Sequence, residues 1–455
     1  MPLSRAAETL VVVTRRQAQA DRLLVSRSST APDENRNPVT ASAVQRDERP
    51  CTVVVGAGHA GGTLVSLLRQ HDHDGRLVLI GAEPHPPYHR PPLSKKFFSD
   101  DYEQLLRPID FYRNQGIEVL LDTEVTRIDR AAKSVLIDDG DDIAYTHLVL
   151  ATGAAARPLP VPGAGLDGVL SLRTLDDAIA LRKIMTSARR LVIIGGGYIG
   201  LEVTAEAMAH GGVDVTVLER EDRILARVAS PEFSAAMHQQ HIARGTEIRT
   251  HTDVVGLVGD RHGTVRAVQL ADGSEITCDA ALVGVGAIPR DGLARESGID
   301  CDKGILVDEA ARTNDPSIFA IGDVTRRPLA GEPTLVRLES IPSAVEQAKQ
   351  AAAAITGSAA PAAEVPWFWS DQFDLQLKIA GMVRPCGPAV VRGDPSTGKF
   401  ALFHLSAENT LAAVETSNSA AMFMAGKKFI GTKTRMDPLL LADQSVDIRK
   451  ACMTD

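Results

Sequence analysis

Two glycine-rich turns, each set between an apolar run and an amphipathic stretch, constrain this chain more than anything else in it. Gly56-Ala57-Gly58-His59-Ala60-Gly61 follows Thr52-Val53-Val54-Val55. Gly195-Gly196-Gly197-Tyr198-Ile199-Gly200 follows Leu191-Val192-Ile193-Ile194. Each turn opens a segment that reads as a helix. A strand, a GxGxxG turn and a helix, in that order, begin a dinucleotide-binding βαβ unit. The glycines let the main chain approach a pyrophosphate. The helix N-terminus adds free N–H groups and a partial positive charge. One such turn arises by chance; two in one chain imply two dinucleotides, one per site. The economical chemistry for such a pair is hydride passing from a nicotinamide to a flavin.

The rest of the chain fits this frame. Its 455 residues suffice for two or three domains. With 49 Lys and Arg against 58 Asp and Glu, nucleic acid is not expected as the main partner. No apolar run reaches ~18 residues, so no membrane span is expected. Cys51, Cys278, Cys301, Cys386 and Cys452 are scattered, with no CxxC. That pattern fits a reducing cytoplasm, and no metal site is expected. Residues 1–49 are rich in Arg, Ser, Thr, Ala and Asn, with one short apolar run, Leu10-Val11-Val12-Val13. They are expected to be a disordered or non-native extension. Glu8, Asp21, Asp33, Glu34, Asp47 and Glu48 weaken a transit-peptide reading.

The first unit returns at Arg76-Leu77-Val78-Leu79-Ile80 and closes at His147-Leu148-Val149-Leu150, just before Ala151-Thr152-Gly153. Pro158, Pro160 and Pro162 then mark a boundary. The second returns at Val215-Thr216-Val217-Leu218 and ends near Ala280 to Gly286. A short strand, Ser317 to Ile321, leads into Gly322-Asp323, and an Ala-rich helix covers Ala344 to Ile355. From Trp367 the pattern alternates like an antiparallel sheet with helical ends. An acid roughly 20 residues beyond each glycine turn is expected to take ribose hydroxyls. In the second unit this is Glu219, whose charge repels a 2′-phosphate and favours NADH over NADPH. Arg220 and Arg223 are the opposing signal. In the first unit the acid is Glu83, with Ala82 where many such proteins carry an acid.

Tyr88-His89-Arg90-Pro91-Pro92-Leu93-Ser94-Lys95 is the most distinctive segment. It resembles a signature of the oxygenase-coupled NADH:ferredoxin reductases, the putidaredoxin reductase-like flavoproteins. Ser171 to Ala178, Gly195 to Glu202, Arg337-Leu338-Glu339-Ser340 and Pro366 to Gln372 match as well. The resemblance covers roughly residues 50–450. It implies an α/β fold like that of pyridine nucleotide-disulfide oxidoreductases, without redox cysteines. Two Rossmann-like domains would be joined by a C-terminal α+β domain. FAD would occupy the domain made from 50–159 and 291–364, and NADH the domain at 160–290. Residues 365–455 would form the C-terminal domain.

The resemblance also implies roles for individual residues. Gly56, Gly58, Ala60 and Gly61 would touch the FAD pyrophosphate. Arg90, Lys95 and Arg173 match FAD contacts, and the main chain of Val125 would face the adenine. Thr152 and Gly153 end the closing strand of the FAD unit. Gly322 and Asp323 would meet the ribityl chain, and Glu339 and Ile341 the flavin ring, with Trp369 covering it. Gly195, Gly197, Ile199, Gly200, Glu202, Glu219 and Gly286 would hold NADH. In relatives, the residues matching Lys95 and Glu202 lie close to the flavin N5 and to each other, which makes this pair the catalytic candidates. Hydride transfer itself needs no protein acid or base, so positioning is the main task. The chain departs from the family at Ala82, at Arg290, where Asn is frequent, and over Ser417 to Ala421.

The resemblance implies an enzyme that takes hydride from NADH onto FAD and passes single electrons to a [2Fe–2S] ferredoxin. That ferredoxin would serve a cytochrome P450 or a Rieske-type oxygenase. Rubredoxin is the alternative acceptor, and an NADH-sensing flavoprotein like apoptosis-inducing factor the alternative role. A thiol-using flavoenzyme needs a cysteine facing the flavin, and Arg90 to Phe98 contains none. A cytoplasmic monomer or weak homodimer is expected. Arg326, Arg327, Arg337, Lys427, Lys428, Lys433 and Arg435 are candidates for docking an acidic partner.

Overall fold

The apolar runs ahead of both glycine turns are central strands of parallel sheets. The computed structural model describes residues 50–384, 387 and 389–453. The extension expected at 1–49 and Cys386 lie outside the described residues. The chain divides into two compact units.

One unit holds the described residues up to Tyr88, with Leu105–Gly153 and Pro289–Pro361. Its main sheet orders the strands Ile318–Ala320, His147–Leu150, Cys51–Val55, Arg76–Ile80 and Ile117–Leu120. All neighbours are parallel. Cys51–Val55 is buried along its whole length, which explains an apolar run without alternation. The helices His59–Gln70 and Ile341–Thr356 pack together, burying Leu64, Val65, Ala348 and Ala352 in one cluster. The alanines of the second helix allow that close approach. Sequence alone placed this helix at Ala344 to Ile355; the cap, Ser340, starts it slightly earlier by accepting the Ser343 N–H at 3.3 Å.

The other unit holds His89–Gln104, Ala154–Ile288 and Ala362–Asp455. A second parallel sheet orders Glu247–Arg249, Asp214–Leu218, Arg190–Ile194, Ala280–Val283 and Val169–Leu170. The helix Tyr198–His210 follows its glycine turn. The C-terminal part is an antiparallel sheet ordered Trp367–Gln372, Leu375–Gly381, Leu411–Ser417, Lys399–Leu405 and Ala389–Asp394. Alternation along Trp367–Gln372 separates Trp367 and Trp369 from Phe368, Ser370 and Gln372 on the opposite face.

A buried histidine makes this unit acid-sensitive. His241, on the helix Pro231–Ala243, is fully buried. Burial lowers its pKa from 6.5 to about 4. The unfolded chain therefore takes up a proton that the native state refuses. The stability from this neutral burial is complete above pH 6.5 and is lost as pH falls toward about 4. The loss amounts to about 3 kcal/mol. In His241→Gln, Tm is expected to fall less steeply across this window; an unchanged slope would exclude His241 as a source of acid sensitivity.

Candidate functional site

Each glycine turn assigns separate tasks to its glycines. Gly56 has φ of +114°, and a Cβ there would lie 2.1 Å from the Ala151 carbonyl oxygen. A Cβ on Gly61 would lie 2.1 Å from the Gly56 carbonyl oxygen. Gly58 differs, since a Cβ there meets nothing within 4 Å. It caps its helix with no side-chain hydrogen bond. The outer glycines thus serve the fold, while the middle one leaves helix N–H groups open to a ligand. The second turn repeats the arrangement. Cβ atoms on Gly195 and Gly200 would each come within 2.5 Å of a carbonyl oxygen, and one on Gly197 meets nothing within 4 Å. Two cradles of this kind fit two pyrophosphates.

Around the first cradle, Glu83 accepts the Tyr88 hydroxyl at 2.6 Å. Tyr88 is buried, so the distinctive segment begins by orienting the ribose-binding candidate. Gly322, at φ +82°, abuts Ala60: a Cβ would lie 3.1 Å from the alanine methyl. This contact brings the Asp323 turn to the helix start. Gln347 Oε1 fixes that turn, accepting the Gly322 N–H at 3.2 Å and the Thr325 hydroxyl at 2.6 Å. Thr152 donates to the Arg290 carbonyl at 2.8 Å, and the Arg290 N–H donates to the Gly153 carbonyl at 2.9 Å. Only the main chain of Arg290 is used, so Arg in place of the family's frequent Asn leaves this link intact. Val125 starts the strand Val125–Asp129. Glu339 pairs with Arg337, and Ile341 opens the helix capped by Ser340.

Around the second cradle, Glu219 turns its carboxylate onto the glycine loop. It accepts the Gly196 N–H at 2.7 Å and the Glu221 N–H at 2.9 Å. Arg220 pairs with Glu221 at 3.1 Å. Arg223 donates to the Ala226 and Ala229 carbonyls at 2.9 and 3.1 Å. Both arginines that spoke for a 2′-phosphate thus have partners within their own loop. Ile199 stays 46% exposed on the first turn of the helix, available for contact with a ligand. Gly286 has φ of +105°, and Arg227 Nη2 lies 3.2 Å from where its Cβ would stand.

Arg227 was not singled out by sequence, because no motif marks it. It is exposed and has no carboxylate partner among the described residues. A cation over a glycine beyond a sheet's carboxyl end suits a pyrophosphate or ribose. Arg227→Ala is expected to raise KM for NADH about ten-fold with kcat unchanged, the signature of lost uniform binding. An unchanged KM would remove Arg227 from the nucleotide site.

From His89 the distinctive segment belongs to the same unit as Arg173 and Glu202. Arg90 donates to the Arg173 carbonyl at 2.5 Å. The N–H groups of Arg173 and Thr174 both donate to Asp177, at 2.8 and 2.9 Å. Thr174 and Asp177 form a capping box on the helix Leu175–Met185. Pro92 starts the short helix Pro92–Lys95, and Lys95 Nζ lies 2.8 Å from Glu202 Oε2. Ser94 donates to the same oxygen at 2.5 Å, and Ser370 donates to Oε1 at 2.6 Å. Glu202 is 2% exposed. The structure therefore brings Lys95 and Glu202 together and adds two hydroxyl donors that sequence did not identify. One turn before Glu202, the Tyr198 hydroxyl is buried and unpartnered. Burial first, then the charges of Glu415 and Glu202, raises its pKa well above 10.0. Trp369 stacks obliquely on Trp367, with ring centroids 5.7 Å apart. On the other face, Phe368 meets Tyr198 edge-on at 4.9 Å.

Thiol chemistry has no support among the described residues. Cys51, Cys278, Cys301 and Cys452 form no disulfide. Burial pushes the thiols of Cys278 and Cys301 up to about 11, far from a reactive thiolate at neutral pH.

The family model for pyridine nucleotide-disulphide oxidoreductases matches residues 51–350. The chain belongs to this family, in its ferredoxin reductase-like branch. Residues 367–452 match the reductase C-terminal domain. A probable ferredoxin reductase, CtmF, from Castellaniella defragrans is 43% identical over 87% of this chain and 97% of its own. Rhodocoxin reductase from Rhodococcus erythropolis is 40% identical over 88% and 93%. The crystal structure of a covalent putidaredoxin reductase–putidaredoxin complex matches with a TM-score of 0.85 at 37% identity, covering 88% of this chain and 98% of that one. As a member of this family the chain is an FAD-dependent oxidoreductase that uses NAD(H). No helix among the described residues is long and apolar enough to cross a membrane.

Proposed function

We propose that this enzyme is the NADH-dependent reductase that supplies single electrons to a [2Fe–2S] ferredoxin serving a cytochrome P450 or Rieske-type oxygenase. The observation that carries the reading is the presence in one chain of two open glycine cradles and a buried Lys95–Glu202 pair. FAD, when bound, would supply the conversion of a two-electron hydride donor into single electrons.

The chain's own residues bind and orient. The cradle at Gly56, Gly58, Ala60 and Gly61 holds the FAD pyrophosphate, and Glu83 takes the adenosine ribose. Asp323 receives a ribityl hydroxyl, since a carboxylate accepts from a sugar. Gly195, Gly197 and Gly200 cradle the NADH pyrophosphate. Glu219 faces the ribose hydroxyls and repels a 2′-phosphate. Lys95 would offer its positive charge to the flavin when FAD is bound, and Glu202 holds that charge in position. Trp369 covers the ring and limits access of water.

We further infer a cytoplasmic protein that is a monomer or weak homodimer. The unbridged thiols of Cys278, Cys301 and Cys452 support a reducing compartment. An acidic ferredoxin is expected to meet a basic patch on the C-terminal domain. Lys428 is exposed on the helix Ala420–Gly431, while Lys427 lies over the Trp367 ring at 5.0 Å. Reversing charge at Lys427 and Lys428 is expected to raise KM for the ferredoxin several-fold at low salt, with NADH–ferricyanide activity kept. Unchanged ferredoxin kinetics at low salt would take these lysines out of the interface.

A further inference from the structure

A line of hydrogen bonds runs behind Glu202 that the reaction described above does not use. Ser370 donates to Glu202 Oε1 at 2.6 Å. Gln372 Nε2 donates to Ser370 Oγ at 3.1 Å. Gln372 Oε1 faces His241 Nε2 at 2.9 Å. Ser370, Gln372 and His241 are all 0% exposed.

The chemistry of these groups sets the direction of the line. A carboxylate only accepts, so Ser370 gives its single proton to Glu202. Its lone pair then takes an N–H from Gln372, which turns the amide oxygen toward His241. That oxygen needs a donor, so His241 carries its proton on Nε2. Its Nδ1 is the bare nitrogen, buried and unpartnered. Burial keeps the imidazole neutral down to about pH 4. Every donor therefore points toward Glu202. Bonds aligned this way polarise one another in a low dielectric and stabilise negative charge at the accepting end. The amide in the middle has no proton to surrender, so the line supports the anion without delivering a proton to it.

The elements that supply the line differ from those that carry the pair. Ser370 and Gln372 project from one face of the strand Trp367–Gln372, and His241 from the helix Pro231–Ala243. The strand that displays Trp369 on one face thus braces Glu202 with the other.

We propose that Ser370, Gln372 and His241 are positioning residues that orient the Glu202 carboxylate and, through it, hold the Lys95 ammonium in place. This rests on the reading of Lys95 and Glu202 as groups acting on the flavin. The hydrogen bonds of Ser370, Gln372 and His241 lead to Glu202, so their effect passes through that carboxylate.

A double-mutant cycle on the holoenzyme tests this. Ser370→Ala is expected to slow the limiting rate of flavin reduction about ten-fold with the Kd for NADH unchanged. Ser370→Thr, which keeps the hydroxyl, is expected to restore it. In a Glu202→Gln background Ser370→Ala is expected to have no further effect, because its only route is gone. The flavin midpoint potential is expected to follow the same pattern, a readout independent of turnover. Gln372→Leu leaves the serine in place and carries the same expectation if Ser370→Ala fails to fold. A ten-fold loss that persists in the Glu202→Gln background would overturn the inference and mark Ser370 as merely structural. If Lys95→Ala and Glu202→Gln both leave rate and potential unchanged, the reading of the pair fails and the inference falls with it. If they alter both while Ser370→Ala and Gln372→Leu match the parent, the inference alone fails.

Discussion

Gly58→Ala is expected to yield a folded protein that has lost most of its flavin, whereas Gly197→Ala keeps its flavin and loses affinity for NADH. The added methyl meets no protein atom within 4 Å at either position. Both residues cap helices from ordinary extended φ,ψ, at φ −80° and −82°. Alanine is a poorer cap than glycine, at a cost of well under ~2 kcal/mol. The penalty therefore falls on the ligand, whose pyrophosphate needs the space the methyl takes. A loss of about 100-fold in affinity is expected at each site, about 2.7 kcal/mol. Flavin content after purification reads the first, and KM for NADH the second. The opposite pairing would exchange the two cofactor assignments. By contrast, Gly56→Ala drives a Cβ to 2.1 Å from a main-chain oxygen at positive φ, so its effect would be on folding and could not be read as binding.

Lys95→Ala is expected to damage both stability and chemistry. It leaves Glu202, at 2% exposure, with two hydroxyl donors and no cation. Breaking a buried pair on one side costs about 3–5 kcal/mol. In its proposed role beside the flavin, Lys95 supplies a preorganised charge whose removal is expected to cost about 100-fold in rate. Glu202→Gln relieves the uncompensated charge yet loses the anchor for Lys95, so it is expected to fold better than Lys95→Ala while remaining slow. Stopped-flow flavin reduction and thermal unfolding separate the two effects. Full-speed reduction by both variants would show that the pair is structural only.

Much of this was legible in the chain because local rules and global fold agree there. The two cradles were readable from an apolar run, a glycine turn and a helix in order, and both strand–turn–helix segments form as the pattern predicts. The pairing of Lys95 with Glu202 followed from resemblance, since two residues so far apart in sequence carry no joint spacing signal. Three features were hidden for physical reasons. Ser370 and Gln372 look like polar positions of an alternating edge strand, and only the packing of that strand against the helix Tyr198–His210 makes them buried donors. His241 sits on a helix whose apolar pattern gives no clear face. Arg227 is one of several arginines in a polar loop, and only the approach to Gly286 distinguishes it. The departure at Arg290 proved harmless to the Thr152–Gly153 link because that link uses the main chain, which sequence cannot show.

Electrons are expected to enter this protein as hydride and to leave singly to an iron–sulfur partner. Anaerobic stopped flow tests this most directly, mixing the holoenzyme first with NADH and then with an oxidised [2Fe–2S] ferredoxin. Rapid bleaching of the flavin is expected, followed by fast reduction of the ferredoxin as the flavin band returns. Bleaching that persists in the presence of several ferredoxins and rubredoxins, with no onward transfer, would contradict this expectation.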